Sequence, residues 1–276
     1  MLVKYGLERI LYRLSRSNHH DAFVLKGALL FELWTHHTYR ATRDADFLAG
    51  GDNAPERFVR IFRELCVMEV EPDGLTFDVD SVKAERITED ADYEGVRVTF
   101  TANLERARIP IQIDIGFGDA ITPAPLVTDY PTLLPAPAPR LLAYPKETVV
   151  AEKFEAMVKL GIANSRMKDF YDLEALSRTL TFEGKILGEA IRTTFNRRGT
   201  QLPIGGMPLA FTPEFYDDDN KKKQWAAFRT RNAPYVAKIE LKELIENIRR
   251  FLTPVVVASL DRSSFNERWE PGGPWR

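Results

Sequence analysis

Cysteine is nearly absent from this chain: Cys66 stands alone among 276 residues. An internal disulfide and a thiolate metal cluster are both excluded, and a reducing, cytosolic (cytoplasmic) setting is expected. Long apolar runs are missing too, with none nearing the roughly 20 residues that a membrane-spanning helix needs, so no membrane partner is expected. Residues 1–9 lack the apolar core and small-residue cleavage site of a signal peptide. Positive charge is not in excess, since 38 Lys and Arg face 40 Asp and Glu for a formal net charge of −2. That excludes a globally basic nucleic-acid binder, and any RNA contact has to use a local patch. The four histidines occur as His19-His20 and His36-His37, with no zinc-site spacing and no cysteine partner. The motifs G-x-x-x-x-G-K-[ST], G-x-G-x-x-G and G-x-S-x-G do not occur.

What is present is an ordinary globular composition, 44% hydrophobic and 28% charged, with enough chain for one large or two modest cores. Periodicity predicts a helix over 2–16, a strand over 22–25, a helix over 27–34, a strand over 43–49 and a helix over 54–67. Strand-like runs follow at 75–88, 95–104 and 109–117. The last sets Ile109, Ile111, Ile113 and Ile115 on one face, with Gln112 and Asp114 on the other. Residues 122–145 hold seven prolines and read as a wrapping linker with a short strand at 140–144. Helices are expected beyond it, over 146–162, 168–177, 182–195 and 236–252. The stretch 216–223 reads as a charge-segregated surface loop or helix start, and the Pro/Gly-rich tail 263–276 is expected to fray. The order describes an α+β (mixed α/β) protein. A small mixed sheet with flanking helices occupies 1–145, and a helical domain with a flexible C-terminal tail occupies 146–276.

The chemistry concentrates in Lys26-Gly27-Ala28 and in Arg40-Ala41-Thr42-Arg43-Asp44-Ala45-Asp46-Phe47. Alternating strand geometry projects Asp44 and Asp46 the same way. Two such carboxylates repel unless a cation lies between them, and an all-oxygen donor set suits Mg²⁺ (or Mn²⁺) shared with a nucleotide's phosphates. A glycine turn opening a helix offers free N–H groups where a phosphate can rest. Asp114, flanked by isoleucines on a central strand, is the third acid, and together the three form a carboxylate cage suited to an in-line displacement. Asp114 could also accept a proton from an acceptor hydroxyl. The plainer alternative is a set of acidic groups on solvated strand ends.

The helical half carries two anomalies. Lys153 falls within the apolar arc of Val149, Val150, Phe154, Met157 and Leu160, and Asp169 falls on the side of Leu173 and Leu176. Asp172 lies one turn beyond Lys168 and Asp169. Lys153 is either a snorkelling or structurally paired lysine, or a cation aimed at a triphosphate. Whether a Lys153–Asp169 pair is structural or catalytic is open at this level.

Taken together, Leu25-Lys26-Gly27, Arg40-x-Thr42-x-Asp44-x-Asp46-Phe47, Glu147 with Ala151-Glu152-Lys153-Phe154-x-Ala156, and Arg166-x-Lys168-Asp169-x-Tyr171-Asp172-Leu173 resemble the AbiEii/AbiGii toxin family. This family is part of the DNA polymerase β-like nucleotidyltransferase superfamily, and the likeness covers roughly residues 20 to 180 in order. It implies a nucleotidyltransferase-like sheet followed by a helical domain closing an active-site cleft. Asp44, Asp46 and Asp114 would be the metal ligands. Lys26, Gly27, Ala28, Arg40, Thr42, Arg43, Lys153 and Lys168 would lie near the nucleotide, and Asp169 or Asp172 would complete the catalytic set. Many superfamily members have Gly-Ser or Gly-Gly where this chain has Gly27-Ala28, which removes a hydroxyl contact and keeps the N–H. The implied activity is Mg²⁺-dependent transfer of an NMP from an NTP to RNA, at the tRNA 3′ end, in a toxin–antitoxin or phage-defence setting with a cognate antitoxin. The competing classes are nucleotidyl transfer to a small molecule or protein, and a non-catalytic nucleotide- or partner-binding module.

Overall fold

The computed structural model describes residues 1–35, 42–90, 93–236 and 238–276. They form two compact units, Met1–Asp119 with Pro125–Tyr144, and Ala120–Ala124 with Pro145–Arg276.

The first unit contains α1 (Leu2–Arg16), β1 (Phe23–Lys26), a 3-10 turn (Gly27–Leu29) running into α2 (Leu30–Thr35), β2 (Ala45–Ala49) and α3 (Pro55–Val67). Five strands follow: β3 (Leu75–Asp90), β4 (Tyr93–Leu104), β5 (Ala107–Phe117), β6 (Leu126–Asp129) and β7 (Arg140–Ala143). All seven strands join one mixed sheet in the order β3-β4-β5-β2-β1-β7-β6. The β2–β5 and β1–β7 pairs are parallel and the others antiparallel.

Alternation gives the middle of this sheet two chemically distinct faces. Phe23, Leu25, Ala45, Phe47, Ile113, Ile115, Val96 and Val98 share one face, and all are buried. Phe23 meets Phe47 edge-on at 5.6 Å and, from α3, Phe58 and Phe62, each at 6.2 Å. Each such ring pair adds about 0.5–1.5 kcal/mol beyond the area it buries. The other face carries a row of register partners, Lys26, Asp46, Asp114, Arg97 and Glu85, one from each of β1, β2, β5, β4 and β3. The aromatic side anchors the strands, and the polar row is carried on their backs.

The second unit contains α4 (Lys146–Leu160), α5 (Met167–Thr179), β8 (Phe182–Glu183), α6 (Gly184–Arg198), α7 (Pro213–Tyr216), α8 (Asp219–Arg231), α9 (Leu241–Leu260) and β9 (Arg268–Trp269). Apolar stripes of α4, α5 and α9 supply its core, including Val150, Phe154, Met157, Phe170, Leu173, Ile248 and Val255. Among the described residues, no helix is long and apolar enough to cross a membrane.

Several elements depart from the sequence expectation. The helix expected over 27–34 is a 3-10 turn plus a six-residue helix, because Gly27 takes a left-handed φ of 75°. Strand β2 starts at Ala45, leaving Asp44 just outside it. The proline-rich stretch contributes β6, which pairs with β7. Helix α9 runs past Pro254 to Leu260 because Val255 and Val256 continue its buried stripe. The charged stretch at 216–223 does not depart: it is a helix start, one of the two forms expected, with the Asp218 side chain accepting from the Lys221 N–H at 2.9 Å.

The tail does not fray. Strand β9 pairs with β8, Trp269 donates to the Ser177 carbonyl at 2.6 Å, and Trp275 donates to the Phe251 carbonyl at 2.8 Å while stacking on its ring. Two indoles that need both burial and an acceptor outweigh the local Pro/Gly composition.

Candidate active site

The polar face of the first unit brings three acids together. Asp44, Asp46 and Asp114 each place a carboxylate oxygen so that all three lie within 4.8 Å of one another. The parallel β2–β5 pairing sets Asp46 directly beside Asp114. Asp44 is steadied by the Thr42 hydroxyl, which donates to its Oδ1 at 2.7 Å. Asp46 lies close against Gly27, where a Cβ would overlap its Oδ2. Gly27 is therefore required twice, once by its positive φ and once by this contact.

Asp114 is held differently. Arg97 on β4 makes a two-pronged bond to it, Nε to Oδ1 and an NH2 donor to Oδ2, both at 2.8 Å. Gln112 donates to the same carboxylate at 3.1 Å. This bond to Asp114 is the largest influence holding the Arg97 guanidinium above its ordinary pKa; burial opposes it, and the charges of Asp114 and Asp44 add to it. Neither Arg97 nor its partnership was singled out in the sequence. The partnership follows only once the β4–β5 register is known: Leu104 pairs with Ala107, and equal counting outward from the turn reaches Arg97 and Asp114.

The other candidates in this unit fall as follows. The Lys26 ammonium lies 3.5 Å from Asp119, close against Gly116. Ala28 is in the 3-10 turn after Gly27. Arg43 is exposed and, with Lys83, Thr99 and Gln112, lines a cavity of ≈ 750 Å³. Arg40 lies outside the described residues, as do His36 and His37. Cys66 is buried, and burial pushes its thiol up to about 12, which leaves it protonated and unreactive at neutral pH.

The second unit holds its own ionic cluster. The Lys153 ammonium reaches Asp169 Oδ1 at 2.6 Å and Asp172 Oδ2 at 2.9 Å, and Arg166 Nε reaches Asp169 Oδ2 at 2.7 Å. The carboxylates are 1% exposed, whereas Lys168 is exposed on the same helix. Burial disfavours the charged form of Asp169, but the neighbouring Lys153 and Arg166 outweigh it, so its carboxyl titrates below the ordinary aspartate value. A folded-state pKa below the unfolded one means stability fully present above the unfolded value and lost as pH falls through the folded one. Urea midpoints measured from pH 6 to pH 2.5 should therefore drop at the acid end, and Asp169→Asn should flatten that drop. An unchanged acid limb in Asp169→Asn would remove this residue from the account.

Three clustered carboxylates on the polar side of a seven-stranded mixed sheet are an arrangement suited to nucleotidyl transfer. The fold is similar to that of the crystal structure of a "putative nucleotidyltransferase from H. pylori", with a TM-score of 0.55 and 14% identity over 96% of this chain and 97% of that one. The crystal structure of JHP933 from Helicobacter pylori aligns at a TM-score of 0.48 and 13% identity, over 92% and 90% of the two chains. Residues 9–252 match the family described as nucleotidyl transferase AbiEii toxin, type IV TA system, and the chain belongs to that family. Its class of activity is nucleotidyl transfer, and membership implies a nucleotide substrate and an antitoxin counterpart. No curated protein matches the chain significantly.

Proposed function

We propose that the protein is a toxin that transfers an NMP from an NTP to the 3′ end of tRNA, blocking translation, and that it works in the cytosol with phage defence as its setting. The observation that carries the reading is the Asp44, Asp46 and Asp114 cluster. Its all-oxygen donors are of the kind a hard divalent cation takes, and they lie within 4.8 Å of one another. Two ligands of one Mg²⁺ are at most about 4.2 Å apart, so the carboxylates would draw together by a few tenths of an ångström on binding it. Mg²⁺ or Mn²⁺ held there would offset the charge that develops on the transferring phosphate.

The chain's own residues supply the rest. The acceptor hydroxyl oxygen forms a bond to the α-phosphorus, the bond from that phosphorus to the bridging oxygen breaks, and pyrophosphate leaves. The hydroxyl proton passes to a carboxylate of the cluster, for which Asp114 is our candidate. Thr42 holds Asp44 in place before substrate arrives, which lowers the reorganisation left for the reaction at that acid. Arg43 and Lys83 in the adjoining cavity are our candidates to meet phosphates, beside Asp78 and Asp80, which line the same cavity and offset their charge. We read Lys153, Asp169 and Asp172 as a structural triad, since two buried carboxylates already claim the ammonium.

Incubation with total tRNA, Mg²⁺ and each of the four α-labelled NTPs should put label on the tRNA with at least one of them. No transfer with any nucleotide would sink the tRNA reading. Label appearing on small molecules or on protein instead would redirect it to another acceptor class.

A further inference from the structure

We propose that Arg97 is a positioning residue for the carboxylate cluster, a resident counter-cation that holds Asp114 in place and competes with the divalent cation for it. The inference rests on the metal reading above and goes beyond it. Three carboxylates within 4.8 Å of one another disfavour their shared charged state. Arg97 answers this at Asp114, bonding both of its oxygens at 2.8 Å, while Lys26 stands beside Asp46 at the other end of the row.

Two features separate this from an ordinary structural ion pair. The first is position: Arg97 and Asp114 are register partners in the same row as Asp46, so the guanidinium flanks the cluster directly. The second is exposure. The Arg97 side chain is 35% exposed and Asp114 only 7%, so the cation approaches from the solvent side and can withdraw without opening the core. Gln112 keeps its own bonds to Asp114, which leaves the carboxylate oriented when the guanidinium leaves. Asp114 cannot give both oxygens fully to Arg97 and also serve a metal, so the two cations are coupled through it.

The test is Mn²⁺ binding by calorimetry to the full chain without nucleotide, with folding checked by circular dichroism. Arg97→Met removes the competing charge and should tighten Mn²⁺ binding about tenfold, within the usual range of coupling between interacting sites. Arg97→Lys keeps one charge without the fork and should fall between wild type and Arg97→Met. In an Asp114→Asn background, Arg97→Met should change nothing. Binding that is equal or weaker in both arginine variants overturns the proposal. If Arg97→Met fails to fold, Arg97→Lys decides alone: tighter binding supports competition, and equal or weaker binding ends it. Asp46→Asn separates the two layers. A flat arginine series with Mn²⁺ binding still lost in Asp46→Asn refutes the role of Arg97 only, whereas Mn²⁺ binding indifferent to Asp46 refutes the metal site and this inference with it.

Discussion

Asp44→Asn should lower nucleotidyl transfer by about 10²–10³-fold, the scale seen when one preorganised charge-stabilising group is removed, and should leave the urea midpoint unchanged or slightly higher. The two halves of this expectation have separate causes. Asparagine keeps a carbonyl oxygen where Thr42 now donates to Asp44 Oδ1 at 2.7 Å, so the local bond survives. It also removes one of three neighbouring negative charges, relieving repulsion in the metal-free protein. Loss of activity without loss of stability is the pattern of a site that trades stability for function. Transfer measured at saturating Mg²⁺ beside a denaturation curve decides the matter. Activity within tenfold of wild type would remove Asp44 from the cluster's chemistry, and a melted variant would show a structural role.

Lys153→Met should cost about 3–5 kcal/mol of stability, the usual consequence of breaking a buried ion pair from one side. Methionine fills the volume of the stem, so packing is nearly conserved. The charge is not conserved: Asp169 and Asp172, 1% exposed, lose the ammonium that lies 2.6 and 2.9 Å away. Arg166 remains on Asp169 and supplies part of the balance. Adding Asp169→Leu and Asp172→Leu to Lys153→Met should recover most of the loss, because a buried triad replaced whole by apolar groups is often neutral. A well-folded Lys153→Met protein that has lost transfer would contradict the structural reading and return this lysine to the nucleotide.

The carboxylates were legible in the sequence for a simple reason. Strand periodicity fixes which side chains share a face, and Asp114 stood out as an acid among alternating isoleucines whose face is buried. Lys153 and Asp169 were legible on the same grounds, as charges on stripes that had to be buried. Arg97 was not, because its meaning depends on a pairing between two strands. The turn that sets this pairing is Glu105-Arg106, with Glu105 at a φ of 51°. It carries none of the Asn-Gly or Asp-Gly signal that marks a two-residue hairpin. The packed tail was missed for a related reason: Trp269 and Trp275 are ordered by distant Ser177 and Phe251, which local composition cannot reveal. The 3-10 turn at Gly27 also follows from something non-local, the Asp46 carboxylate lying where a side chain would be.

The row from Lys26 through Asp46, Asp114 and Arg97 to Glu85 has a consequence for how this protein can fail. Because strand side chains alternate, sliding β2 by a single residue would turn Asp46 into the layer of phenylalanines and bring Phe47 out to the polar side. An intermediate arrangement with a partly correct site is therefore not available to the chain. The error that spoils the chemistry also drives a charge into oil, so misassembled copies of the first unit are rejected by their own instability before they can act as faulty catalysts.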